Sequence, residues 1–495
     1  MAGSPLLLLG GAAATLLKGR GALQDIEQRD ILNSVCKDTF TVNTVRDIVP
    51  TLRKAIAAAK EGVPGPVFVE LPIDTLYPYA VTASEIIGEQ TGKPSLQKRI
   101  VDFYMGAHLH NLFTKAFENE DYDVTVDSLP VKSDEVKSVH DMLKLAKKPV
   151  ILLQSQATLQ PRKLANFAAG LEKLGVPVFL GGMARGLLGS ESTVQCRHTR
   201  GVALKNADLI VLCGVSADFR LNYGRSLPRT AKIITVNRDV AELNKNTDMF
   251  WKPTVKVNSD PCDFMLEVLD NDVDSAHWAE WLQDCKKRDQ TRDAEIAKMA
   301  ESPAGGKINP LKLFLELDDM LPANSILVAD GGDFVGTASY ILRPRSPLSW
   351  LDPGAYGTLG VGGGFAIGAA AVDSSRPIFI IYGDGSAGYS IVEMDTAKRF
   401  GFNNINAVIG NDGKWNQILR AQQQILGSPV ANILATSRYD LIAEAFDGKG
   451  FLLNNPENDS TIFQKCFNDA LAEQNPTVIN AMLGSTEFRD GSISV

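Results

Sequence analysis

The chain has 495 residues, 44% of them hydrophobic and 22% charged, which is ordinary for a globular protein of two or three domains. Its net charge of −8 and the lack of a basic stripe exclude an electrostatic case for nucleic acid. Six scattered cysteines, with no Cys-x-x-Cys, read as reduced, mostly buried thiols of a cytoplasmic protein rather than a disulfide frame or zinc site.

Taken in order, the chain alternates strand and helix. Leu6 to Leu17 is apolar and precedes Lys18 and Arg20, which mimics a signal peptide. No positive charge precedes it, however, and it falls short of the ~20 residues that span a bilayer. Pro5 to Leu9 is expected as a buried parallel strand, ended by Gly10-Gly11, with a short helix over Ala12 to Leu17. A second strand over Cys36 to Val42 follows, then a helix over Val45 to Glu61 and a buried strand over Val67 to Leu71. Residues 1–80 therefore make about half of a doubly wound domain, as if the domain began earlier.

Residues 81–135 are charged and poor in strand signals, and are expected as a linker with some helix. In residues 136–265 the alternation resumes, with strands at Val150 to Gln154, Val178 to Leu180, Leu209 to Cys213 and Ile233 to Val236. Residues 266–307 form a charged helical linker, ending in Ser302-Pro303-Ala304-Gly305-Gly306.

Residues 308–495 form the last α/β domain. Its first strand is Ile326 to Ala329, followed by the turn Gly331-Gly332-Asp333-Phe334, and Pro476 to Met482 is expected to close the sheet. The glycines Gly362-x-Gly364-x-x-x-Gly368 follow a Gly/Pro loop rather than a strand. They are therefore no dinucleotide fingerprint, and are expected to let a helix pack closely on the sheet.

The chemistry concentrates between Arg376 and Trp415. The apolar strand Ile378 to Ile381 ends at Gly383-Asp384-Gly385, and an amphipathic stretch from Ser390 to Phe400 stops at Gly401. A second strand, Ile405 to Ile409, then delivers Asn411 and Asp412. Two parallel neighbours bring Asp384 and Asn411 to one sheet edge, where open α/β sheets bind ligands. A carboxylate, an amide oxygen and a main-chain carbonyl, that of Gly413, suit Mg²⁺, with a diphosphate completing its shell. Gly385 and Ser386 leave main-chain N–H groups uncovered for an anion. No histidine lies beyond His277, so imidazole chemistry is not expected at this edge.

Gly383-Asp384-Gly385 followed at this spacing by Asn411 resembles the signature of thiamine diphosphate (ThDP) enzymes. Gly181-Gly182-Met183-Ala184-Arg185-Gly186, Asp218-Phe219-Arg220 and Val236-Asn237-Arg238 resemble the family's central domain. Pro66-Val67-Phe68-Val69-Glu70-Leu71-Pro72 resembles the second half of its pyrimidine-binding domain, and Phe488-Arg489-Asp490-Gly491-Ser492 also fits. Over nearly the whole chain the order is similar to that of the acetolactate synthase-like enzymes, closest to the group regarded as 2-hydroxyacyl-CoA lyases. The fold implied is α/β, with three doubly wound parallel-sheet domains of ThDP-enzyme type, the first incomplete.

The resemblance further implies Asp384, Asn411 and the Gly413 carbonyl as Mg²⁺ ligands. It places Gly332, Asp333, Phe334, Gly383, Gly385, Ser386 and Ala387 around the diphosphate. Gly357 would accept the cofactor's 4′-amino group through its carbonyl, Leu359 would prop the thiazolium, and Gln24 would face a neighbouring subunit's cofactor. The reaction implied is cleavage of a 2-hydroxyacyl-CoA to formyl-CoA and a shortened aldehyde. Alternatives are acetolactate-type carboligation of 2-oxo acids, or a non-catalytic ThDP-binding subunit. The partners implied are an acyl-CoA or 2-oxo acid substrate and further copies in a homodimer or homotetramer, or a full-length chain in a mixed one. The family's activating glutamate would lie upstream of residue 1, as would any membrane anchor, and neither Glu27 nor Glu70 is placed to replace it. The 495-residue chain alone is therefore expected to be inactive.

Overall fold

The computed structural model describes residues 3–87, 95–116, 118, 126, 129–270, 275–455 and 459–489. Of the carboxyl-terminal match, Asp490, Gly491 and Ser492 lie outside the described residues. The chain divides into two compact units, Gly3–Leu129 and the part from Pro130 onward. Among the described residues no helix is long and apolar enough to cross a membrane.

The first unit holds a parallel sheet of β1 (Leu6–Ala12), β2 (Asp38–Thr41) and β3 (Pro66–Pro72), in the order β1-β3-β2. Its core sets Val67, Val69 and Leu71 of β3 against Ala55 and Ala59 of the helix Ile48–Lys60. β1 differs from its sequence reading in two ways. It runs through Gly10 and Gly11 to Ala12, and it is an edge strand with Leu6, Leu8 and Leu9 exposed. An edge strand gains its ladder from one neighbour only, so an apolar run does not guarantee burial. Gly10 is where the backbone crosses Phe68, and a Cβ there would lie 2.6 Å from the ring. No helix forms over Ala12 to Leu17. The segment turns instead, with the Thr15 hydroxyl donating to Asp74 at 2.6 Å and Lys18 pairing with Glu70 at 2.7 Å. In the stretch expected as a linker, helices Tyr79–Ile87 and Leu96–Phe113 meet through Tyr79 and Phe113, edge to face at 5.2 Å.

The second unit contains two six-stranded parallel sheets. One comprises β4 (Pro149–Leu153), β5 (Val178–Leu180), β6 (Gln195–Cys196), β7 (Leu209–Cys213), β8 (Lys232–Asn237) and β9 (Val255–Asn258), ordered β6-β5-β4-β7-β8-β9. Its four inner strands are those expected. The outer pair, two and four residues long, is too short or too charged to read as strands. Four of the six cysteines are buried here, and all six are free thiols.

The other sheet comprises β10 (Ile326–Ala329), β11 (Trp350–Leu351), β12 (Ile378–Gly383), β13 (Ile405–Asn411), β14 (Lys449–Leu453) and β15 (Thr477–Met482), ordered β11-β10-β12-β13-β15-β14. β15 does not close the sheet. It lies inside, and the polar-started β14 takes the edge. The amphipathic helix begins earlier than expected, as Asp384–Ser390, then resumes as Glu393–Phe400 and ends at Gly401 with φ +69°. Close packing explains only part of the glycine-rich run. A Cβ on Gly362 would meet Asp330 and Ile380 at 2.9 Å, whereas Gly364 and Gly368 face open space.

Gly484, just past β15, is under a harder constraint, because a Cβ there would overlap the Ala304 carbonyl. Backbone cannot rotate away as a side chain can, so Gly484→Ala is expected to cost about 1–3 kcal/mol. Thermal unfolding of the two chains would show it; an unchanged midpoint would mean that this contact relaxes freely.

Candidate functional site

The carboxyl ends of β10, β12 and β13 deliver three turns to one edge. β12 pairs with β13 in the register Gly383 to Gly410, which sets Asp384 beside Asn411. Asp384 borders a cavity of about 350 Å³ whose lining also includes Gly332, Leu359, Gly410, Asp412 and Trp415, the residues on either side of Asn411 among them. The juxtaposition read from the two apolar strands is therefore present.

Asp384 is 3% exposed, and its carboxylate accepts the N–H groups of Gly385 and Gly413, each at 2.7 Å. Burial pushes its carboxyl above the usual range, against those bonds. Asp412 is pushed up to about 7, first by burial and then by the Asp384 charge.

Asn411 is fully buried. Its Nδ2 donates to the Ser437 carbonyl at 2.9 Å and to Asn480 Oδ1 at 3.1 Å. Those two acceptors fix the amide orientation and leave Oδ1 buried, with no hydrogen-bond partner among the described residues. An unmatched buried acceptor costs about 1–3 kcal/mol. With the Asp384 carboxylate beside it, this is a donor set that a hard divalent cation takes. Gly413, at φ +70°, turns its N–H toward Asp384, while its carbonyl accepts the Leu434 N–H at 2.8 Å. That carbonyl is thus already engaged, unlike Asn411 Oδ1.

The residues expected around the diphosphate divide into backbone and side chain. Gly332, at φ +101°, leaves the first turn open. The Asp333 carboxylate is held by Arg420 at 2.6 and 2.7 Å and approached by Arg489 at 3.4 Å, so its side chain is committed to cations. Phe334 stacks on Phe314 at 4.3 Å and passes beneath Gly410. Ser386 donates its hydroxyl to the Gly331 and Gly383 carbonyls at 3.1 and 3.0 Å, tying the two turns together. Ala387 is buried in the apolar core. With these side chains committed, the arc offers an anion main-chain N–H groups other than that of Gly385, which Asp384 holds, and Trp415 lies across Gly385, where any Cβ would overlap its ring.

Gly357, at φ +59°, is exposed on the rim, and Leu359 presses against Gly331. Gln24 lies in the other unit, exposed and at φ +59°. Four residues were not foreseen: Asp330, Trp415, Tyr439, whose hydroxyl donates to the Asp384 carbonyl at 2.8 Å, and Asn480. Asp330 follows β10 as Asp384 follows β12, so a carboxylate at a strand's carboxyl end was a usable signal. Asn480 was marked by being polar within the buried run of β15.

Residues 330–481 match the C-terminal TPP-binding domain of the thiamine pyrophosphate enzymes, and residues 136–267 match their central domain. The chain is 48% identical over 498 residues to 2-hydroxyacyl-CoA lyase 2 of Danio rerio, covering 100% of this chain and 80% of that protein. With the Homo sapiens 2-hydroxyacyl-CoA lyase 2 it shares 44% over 500 residues, covering 100% and 78%. A probable acetolactate synthase of Mycobacterium bovis is 25% identical over 481 residues, covering 97% and 79%. In fold, the chain is similar to the ThDP-dependent 4-hydroxybenzoylformate decarboxylase of Rhodococcus jostii RHA1. That match has a TM-score of 0.72 at 19% identity and covers 98% of this chain and 84% of that one. Sheet order, site geometry and sequence relatives converge: the chain belongs to the thiamine diphosphate-dependent enzymes, in the family that includes 2-hydroxyacyl-CoA lyase 2.

Proposed function

We propose that this chain is a ThDP- and Mg²⁺-dependent lyase that cleaves a 2-hydroxyacyl-CoA to formyl-CoA and a shortened aldehyde. The observation that carries the cofactor site is the buried, unmatched Asn411 Oδ1 beside the Asp384 carboxylate. The reaction itself comes from the named relatives.

Asp384 and Asn411 would hold Mg²⁺ through side-chain oxygens, and the Gly413 carbonyl, with its second lone pair, is the third protein donor. Main-chain N–H groups of Gly332 to Phe334 and of Ser386 and Ala387 would receive the diphosphate, with Gly385, whose N–H is held by Asp384, beside it. When bound, ThDP supplies an electron sink for breaking a carbon–carbon bond next to a carbonyl. Gly357 would accept the cofactor's amino group and Leu359 would support its thiazolium. The Trp415 ring lies across Gly385 in the wall of the same cavity. Gln24 would face the cofactor of a neighbouring subunit in a homodimer, a homotetramer or a mixed assembly.

Glu70 is no candidate for the activating glutamate, because it is buried against Lys18 and Thr41. The pure 495-residue chain is expected to bind ThDP. The active protein is expected to release formyl-CoA from a 2-hydroxyacyl-CoA and no acetolactate from pyruvate. Product analysis on both substrates decides between lyase and carboligase. No product from either would leave the non-catalytic subunit.

A further inference from the structure

Asp330, one residue past β10, is 1% exposed and has no role in the ligand set described above. Its N–H donates to the Ile381 carbonyl at 3.0 Å, so its backbone is fixed to β12. Its carboxylate accepts two main-chain N–H groups across the cavity wall, from Gly360 at 2.9 Å and from Gly362 at 2.6 Å. Gly362 opens the helix Gly362–Val372, whose first N–H groups have no partner within the helix. The same short segment is held at two further points. The Leu359 side chain lies on Gly331, and Gly360, at φ +84°, leaves no room for a Cβ because Tyr389 packs on it.

We infer that Asp330 is a positioning residue that sets the Gly357–Gly362 segment in its cofactor-binding form before the cofactor arrives. The inference rests on the reading that ThDP occupies this cavity, with Gly357 and Leu359 against its rings. Its logic is that of a population. If a loosened segment is competent only part of the time, the apparent dissociation constant rises by the inverse of that fraction. Asparagine at 330 keeps the shape but turns one acceptor into an NH₂ group facing an N–H donor. A competent fraction of about one tenth then weakens binding about tenfold.

The test is calorimetric titration of ThDP, with Mg²⁺ present, into the full chain and its Asp330→Asn variant. The expected result is affinity weaker by about tenfold or more, unchanged stoichiometry at saturation, and little change in the unfolding temperature of the ligand-free chain. A merely structural role would lower that temperature and leave the affinity of the folded fraction alone. Wild-type binding matched by the variant overturns the inference and leaves the proposed function standing. Failure of the wild-type chain to bind overturns both. If the variant does not fold, hydrogen exchange on the wild-type chain serves instead. Protection of the Gly360 and Gly362 amides before ThDP is added supports a pre-set segment, and protection only after addition overturns it.

Discussion

Asp384→Ala is expected to abolish Mg²⁺-dependent ThDP binding by the pure chain. Replacing a group that only supports a metal ligand costs about 10–100-fold, so deleting a carboxylate donor is expected to cost at least about 100-fold. Two further losses act in the same direction. The Gly385 and Gly413 N–H groups lose their acceptor, and the turn that presents the Gly413 carbonyl is released. The fold is expected to survive, because a buried carboxylate whose pKa is raised by burial is itself costly to keep. Calorimetry with and without Mg²⁺ separates the contributions. The variant should match the wild-type chain treated with a chelator. Undiminished affinity in the variant would mean that the cation sits elsewhere.

The second large effect concerns stability and lies in the other unit. Glu70 is fully buried, and one of its oxygens accepts Lys18 at 2.7 Å and Thr41 at 3.2 Å. Its Oε1 has no partner among the described residues, so the carboxylate depends on Lys18. Removing one member of a buried pair typically costs about 3–5 kcal/mol, because the other charge is left without compensation. The Lys18 side chain is 28% exposed, so water reaches its end of the pair and the lower figure, about 3 kcal/mol, is expected for Lys18→Met. Adding Glu70→Met should restore most of the loss, since two apolar groups leave no buried charge. No tryptophan precedes Trp251, so the unfolding of this unit is best followed by hydrogen exchange in peptides from β1 and β3. A change under about 0.5 kcal/mol in the single variant would place it with ordinary surface substitutions and show the pair to be incidental.

Much of the architecture was legible because central parallel strands are buried on both faces and therefore read as continuous apolar runs. Ile378 to Ile381 and Ile405 to Ile409 could be recognised without any tertiary information. Asp384 and Asn411 then fell at a shared edge by topology alone. The edge strands were not legible in the same way. Gln195–Cys196 and Lys449–Leu453 pair on one side only, so neither needs a long apolar run. β1 erred in the opposite sense, being apolar yet exposed.

Within the site, the sequence by itself determined the positions of the donor atoms along the chain: a carboxylate after one strand, an amide after the next, and glycines where the backbone must turn. Only the tertiary structure decided which way those groups face. The Asp333 side chain turns to Arg420, 87 residues away, and Ser386 ties itself to Gly331 across 55 residues. Asn411 Oδ1 is left open because Asn480 and the Ser437 carbonyl, 69 and 26 residues distant, engage its NH₂ group. Spacing along a strand is set by local backbone geometry, whereas a buried polar atom must be satisfied by whatever the fold brings next to it.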